Sequence, residues 1–225
     1  MLRPTLCLSL LLCASCADLR ETADATTTIR LDDELSPVEI ERTVVLGVDS
    51  LPLCLDVSLM LPGQTTTVAL KRTSDTCAFT VTQPDLLILN QQEVENARRQ
   101  SGNFDIDAIR RGSVSLLQLE LWTDQGAVLD LSRYVDAVSV QIDNDVVLDR
   151  VTPEALMSAE PVSRPLPANL LNKLKTAVKS NQEAKAKVSL ILILAGETLS
   201  DLPAGLKLRV VLQPQLEVNV IDAAF

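Results

Sequence analysis

The side chains able to do chemistry in this chain are few in kind. There are five cysteines, Cys7, Cys13, Cys16, Cys54 and Cys77, and no histidine. Without an imidazole there is no Ser-His or Cys-His nucleophile pair and no His-ligated metal. Asp and Glu number 30 against 20 Lys and Arg. A Ser-Lys dyad or a carboxylate pair is therefore open on composition, yet no spacing singles one out. With only seven glycines, the chain shows no glycine-rich phosphate loop. Asp143-Asn144-Asp145 puts three oxygen side chains in a row. An EF-hand loop also needs a glycine at its sixth position and a distal glutamate. Asn and Asp tolerate left-handed backbone angles, so the triplet reads as a hairpin turn, with calcium as the alternative. We expect no enzyme, no catalytic residue, no cofactor and no metal.

The first cysteines belong to a leader. Arg3 precedes an apolar run from Leu6 to Leu12, broken only by Ser9. A bilayer span takes about 20 apolar residues, so the run fits a secretory signal peptide instead. It ends in Ala14-Ser15-Cys16. At this junction the chain resembles a bacterial lipoprotein precursor. The resemblance implies removal of residues 1–15, acylation of Cys16 and, with Ala17 rather than Asp following, sorting to the outer membrane. Cleavage after Ala17, giving a secreted or periplasmic protein, and an uncleaved anchor are the alternatives. Residues 16–28 are small and polar, with three consecutive threonines at their end, and read as a flexible tether.

With Cys7 and Cys13 in the leader and Cys16 at the junction, Cys54 and Cys77 remain. Two cysteines in an exported chain read as one disulfide, worth about 3.4 kcal/mol in the chain-entropy model. A pair of buried free thiols is the alternative. The net charge of −10 opposes nucleic-acid binding, which rests on neutralising phosphates. Trp122 and Tyr134 are each the single residue of their kind, which leaves little to stack bases or sugars on.

The elements positioning these residues are mainly strands. Leu53, Leu55, Val57, Leu59 and Leu61 alternate with Cys54, Asp56, Ser58 and Met60, a period of two that predicts one strand with one buried face. Cys54 falls on its polar side, so a bridge to Cys77 would pin a strand edge or loop. Similar alternation runs through Val38 to Leu46, with Arg42 on the apolar phase, and through Thr76 to Thr82. In Ser113 to Thr123, Leu117, Leu119 and Leu121 are expected on one face. Val128 to Leu131 and Tyr134 to Ile142 read as further strands. Val188 to Leu194 reads as a central strand, and Leu206 to Val220 as a strand interrupted by Pro214, hence an edge or a bulge. An Asn90 cap begins a short helix, and Thr152-Pro153-Glu154 looks like another start.

A longer helix is predicted over 167–181, with Leu170, Leu174 and Val178 on its apolar stripe. Lys173, Lys175 and Lys179 lie off that stripe in the one strongly basic stretch of the chain. They read as a solvated face or as a candidate electrostatic contact for anionic lipid or an acidic envelope protein. The acidic stretch from Asp124 to Glu160 could instead neutralise them internally. These readings predict a mainly β fold, a two-sheet β-sandwich of immunoglobulin-like or jelly-roll type with one or two short helical insertions. Residues 29–225 would form one domain, a split near 90–112 being the alternative. The expected function is a non-catalytic, membrane-tethered binding or structural module of the cell envelope. A carrier for an apolar ligand such as a lipid is the alternative, since Leu, Val and Ile could line a cavity as well as fill a core.

Overall fold

A computed structural model describes residues 28–30, 35–45, 53–62, 64–73, 76–101, 109–158 and 161–219. Among the described residues, eleven strands and four α-helical segments follow one another. In order they are β1 (Thr28–Arg30), β2 (Val38–Val45), β3 (Val57–Met60), β4 (Thr67–Thr73), β5 (Thr76–Leu89), α1 (Gln91–Ser101), β6 (Ile109–Thr123), α2 (Leu131–Tyr134), β7 (Val135–Ile142), β8 (Asp145–Val151), α3 (Pro153–Leu156), β9 (Val162–Pro165), α4 (Ala168–Ser180), β10 (Ala184–Leu194) and β11 (Gly205–Asn219). A 3₁₀ turn, Gly196–Asp201, joins the last two.

The strands form a two-sheet sandwich, paired antiparallel throughout. One sheet runs β3-β4-β5-β10-β7-β8, and the other β1-β11-β6-β9, with β2 also on β11. Alternation along each strand sends one set of side chains inward. Val68 and Leu70, Phe79 and Val81, Val138 and Val140, and Leu190 and Leu192 are buried from the first sheet, and Leu119, Leu121, Leu208 and Val210 from the second. Together with the helices they make a contiguous apolar cluster.

Helix α4 closes one end of this cluster. Its Leu170 and Leu174 meet Val38, Val114 and Leu212 of one sheet and Ile88, Ile142 and Val188 of the other. The helix stops at Asn181, which adopts a left-handed backbone (φ 56°), while the Gln182 N–H returns to the Ala177 carbonyl at 2.9 Å. Gly112 in β6 allows the chain after β9 to approach. A Cβ there would stand 2.7 Å from Leu166 Cδ1 and 3.0 Å from the Gln215 carbonyl.

Several local expectations change. Regular strand structure in the leucine-alternating stretch is confined to Val57–Met60, and Leu53 and Leu55 are 56% and 47% exposed. Cys54 takes a left-handed angle (φ 47°) in a turn and points into the core, so the period of two does not extend to it. Leu117 is 45% exposed because the ladder slips there: Val211 pairs Gln118 but Leu212 pairs Leu116. The extra residue turns outward, and Leu116 takes the buried place. Val128 makes a single bridge to Trp122, and Leu131 starts a helical turn capped by Asp130. Thr152 makes no side-chain cap bond. Pro214 lies in β11, the central strand of its sheet. On one flank β2 pairs residues 205–212 and β1 pairs 217–219, leaving Pro214 in the gap between them. A residue without an N–H is tolerated where one side of the ladder is open.

Candidate functional site

Cys16, the leader and the tether up to residue 27 lie outside the described residues. The three lysines of α4 differ in their surroundings. Lys173 points at the β7–β8 turn and donates to Asp143 Oδ2 at 2.5 Å. Lys175 is half-buried and Lys179 is exposed.

The turn that receives Lys173 is built from the triplet Asp143-Asn144-Asp145. Asp143 and Asn144 both adopt left-handed angles (φ 51° and 74°), the backbone of a type I′ hairpin, so the triplet is the turn the sequence suggested. Its side chains are engaged with two neighbours. Asp143 Oδ1 accepts the Lys187 N–H at 2.9 Å, the Asp143 N–H donates to the Lys187 carbonyl at 2.8 Å, and Lys187 Nζ donates to Asn144 Oδ1 at 2.9 Å. Asn169 Nδ2 reaches Asp145 Oδ2 at 3.4 Å. Partial burial alone would raise the Asp143 carboxyl. The Lys173 hydrogen bond, the Lys187 N–H and both lysine charges outweigh that and hold it below the usual aspartate range. The arrangement locks α4 to the end of the sandwich. Part of the acidic stretch thus neutralises part of the basic one within the chain.

Cys54 and Cys77 form a disulfide, with Cα atoms 5.8 Å apart. Both are buried, at 3% and 1% exposure. Cys77 stands on the inner face of β5 beside Leu194 of β10, so the bridge fastens a loop to the sheet interior rather than only to its rim. Arg42, the residue out of phase in β2, reaches across to the other sheet. Its Nε and Nη2 donate to Gln83 Oε1 at 3.2 and 2.6 Å, and Nε also to Thr66 Oγ1 at 3.1 Å. Thr66 is fully buried and itself donates to Gln83. Arg42's violation of the alternation was the one sequence signal of this polar bridge. Its partners, far apart in the chain, carried none.

The apolar cavity between the sheets under α4 has a volume of about 20 Å³. That is room for about one water molecule, not for an acyl chain. Among the described residues no group of three or more Cys, Asp or Glu is placed to hold a metal ion, and no helix is long and apolar enough to cross a membrane. Comparison with family models, curated proteins and solved structures finds no match to this chain.

Proposed function

We propose that this protein is a non-catalytic module of the bacterial cell envelope, held to the outer membrane by acyl chains on Cys16, where it binds or braces another envelope component. The observation that carries the reading is the pairing of Cys54 with Cys77 in a chain whose leader ends in Ala14-Ser15-Cys16. A structural disulfide suits an exported protein, and that leader supplies the export. One acyl chain holds a protein only marginally, whereas several in combination retain it stably. The apolar cavity beneath α4, at about 20 Å³, supports this reading over an apolar-ligand carrier, whose pocket would need several hundred Å³. Secretion without an anchor is the competing fate of the same leader.

Globomycin treatment, or Cys16→Ser, should arrest maturation and release the protein from the membrane fraction. Mass analysis of the mature N-terminus should show an acylated Cys16. A mature chain beginning at Asp18 overturns the proposal.

A further inference from the structure

The outer faces of the two sheets differ in charge. Across β2, β11 and β6 the outward side chains form ion pairs, Lys207 with Glu41 and Arg209 with Glu39 and Glu120. On the six-stranded sheet, the side chains out of phase with the core point outward, and the register aligns them in rows. One row crosses all six strands through Met60, Thr67, Thr82, Ser189, Gln141 and Val146. The next holds Ser58, Ala69, Thr80, Ile191 and Ser139. Neither row contains an ionisable side chain. A third, through Lys71, Ala78, Ile193 and Ala137, is charged only at its β4 end. Charge returns at the border, with Lys187 beyond Ser189 on β10 and Asp149 beside Ser139 on β8. Charged residues make up 22% of the chain, so an outward surface of this extent without one is set apart.

Ser189, Ser139 and Ala137 are buried, and the other residues of the three rows are half-buried or exposed. Met60 and Val146, at the two ends of the first row, are 66% and 50% exposed. The hydroxyls near the centre already have partners within the sheet. Thr82 Oγ1 and Ser189 Oγ lie 2.9 Å apart, and Ser139 Oγ accepts the Arg150 N–H at 2.9 Å. Covering them therefore leaves no donor or acceptor newly unpaired, which is the expensive outcome. Six strands about 4.8 Å apart and three rows about 7 Å apart make a face of roughly 600 Å². Two such faces together bury about 1,200 Å², the lower end of the range for specific interfaces.

We infer that this face binds a second copy of the chain, sheet against sheet, in a two-fold dimer. Charge and pattern both select that occupant. Copies of net charge −10 repel one another, and an uncharged face lets them meet without burying an unpaired charge. A two-fold interface must be complementary to itself. An axis running along the strands, between β5 and β10, lays β5 of one copy over β10 of the other, β4 over β7 and β3 over β8. Ile191 and Ile193 then stand over Thr80 and Ala78 of the second copy, large side chains against small ones. Met60 stands over Val146 at both ends of the first row. The charged border becomes the polar rim that such interfaces carry. The inference goes beyond the envelope reading and does not depend on the anchor.

The test is sedimentation equilibrium on the mature-length chain from residue 16 carrying Cys16→Ser, so that no acyl chain contributes. It should show a monomer–dimer equilibrium with a dissociation constant in the micromolar range, as suits an interface of the smallest specific size. Met60→Lys alone, or Val146→Glu alone, should weaken the dimer by roughly ten-fold. Both sites are at exposed edges, so the fold should survive, which circular dichroism checks. The two substitutions combined in one chain should restore most of the affinity. Within a copy they lie about 24 Å apart across the sheet, so the introduced charges can meet only between copies. Val45→Lys places a lysine on the other sheet, at a residue 64% exposed, and should change nothing. A chain that stays monomeric at about 1 mM, equal weakening by Val45→Lys, or a combined variant no tighter than the single ones each overturns the inference. Because the chain is not acylated, this result is independent of the Cys16 experiment.

Discussion

Asp143 is the residue at which a turn, a helix and a strand meet. Its carboxylate accepts from Lys173 of α4 and from the backbone of Lys187 in β10, and those donors hold its pKa below the usual range despite partial burial. The unfolded carboxyl titrates near about 3.9, and the folded one lower. The stabilisation is therefore complete above the unfolded value and is lost as pH falls through the folded one. Asp143→Asn should lower the urea midpoint at neutral pH, and the gap to the parent should close below about pH 4. The two side chains keep 32% and 39% of their surface in water, so the gap should not exceed about 1 kcal/mol. A gap that survives into strong acid would show that the carboxylate charge is not its source.

At the scale of elements, α1 shows how one side chain can join segments distant in sequence. Asn90 Oδ1 accepts the Glu93 N–H at 3.0 Å, and Glu93 Oε2 accepts the Asn90 N–H at 2.7 Å, a reciprocal capping box. The second carboxylate oxygen accepts the Ser36 N–H at 2.7 Å, tying the chain ahead of β2 to the start of the helix. Glu93 is 6% exposed. Glu93→Ala removes the acceptor from two backbone donors and should destabilise by about 1–3 kcal/mol. Hydrogen exchange should speed up at Ser36 and through the first turn of α1 together. Acceleration in the helix alone would mean that the Ser36 bond does not hold the segment. The cap was legible in the sequence because it is local. The bond to Ser36, 57 residues away, was not.

At the scale of the whole molecule, the buried side chains of both sheets and of α1 and α4 form a contiguous cluster that includes Cys54 and Cys77. Cys54→Ser with Cys77→Ser should lower stability by about 3 kcal/mol, the loop-closure term. Circular dichroism and Trp122 fluorescence should then move together to a lower midpoint, since the described core is one contiguous cluster. Trp122 reports on the sheet opposite the bridge. Separate transitions by the two probes would mean that the sheets unfold independently.

The sequence alone determined what depends on neighbours a few residues apart. Strand alternation in β2, β5 and β7, the apolar stripe of α4, the hairpin at Asp143-Asn144 and the Asn90 cap are all set by local backbone preference and by the periods of the two regular structures. Once the first three cysteines are read as belonging to a leader, it also points to Cys54 and Cys77 as the pair that the structure joins. Tertiary structure decided whatever needed a partner strand. The exposed Leu117 follows from a slip against β11, the tolerated Pro214 from the gap between β1 and β2, and the buried Cys54 from a turn that breaks an otherwise regular alternation. It also decided how charges pair: Lys173 is taken by an aspartate 30 residues away, and Lys207 and Arg209 by glutamates of β2. A hydrophobic period fixes which way a side chain faces along its own strand. Only the register between strands fixes what it faces.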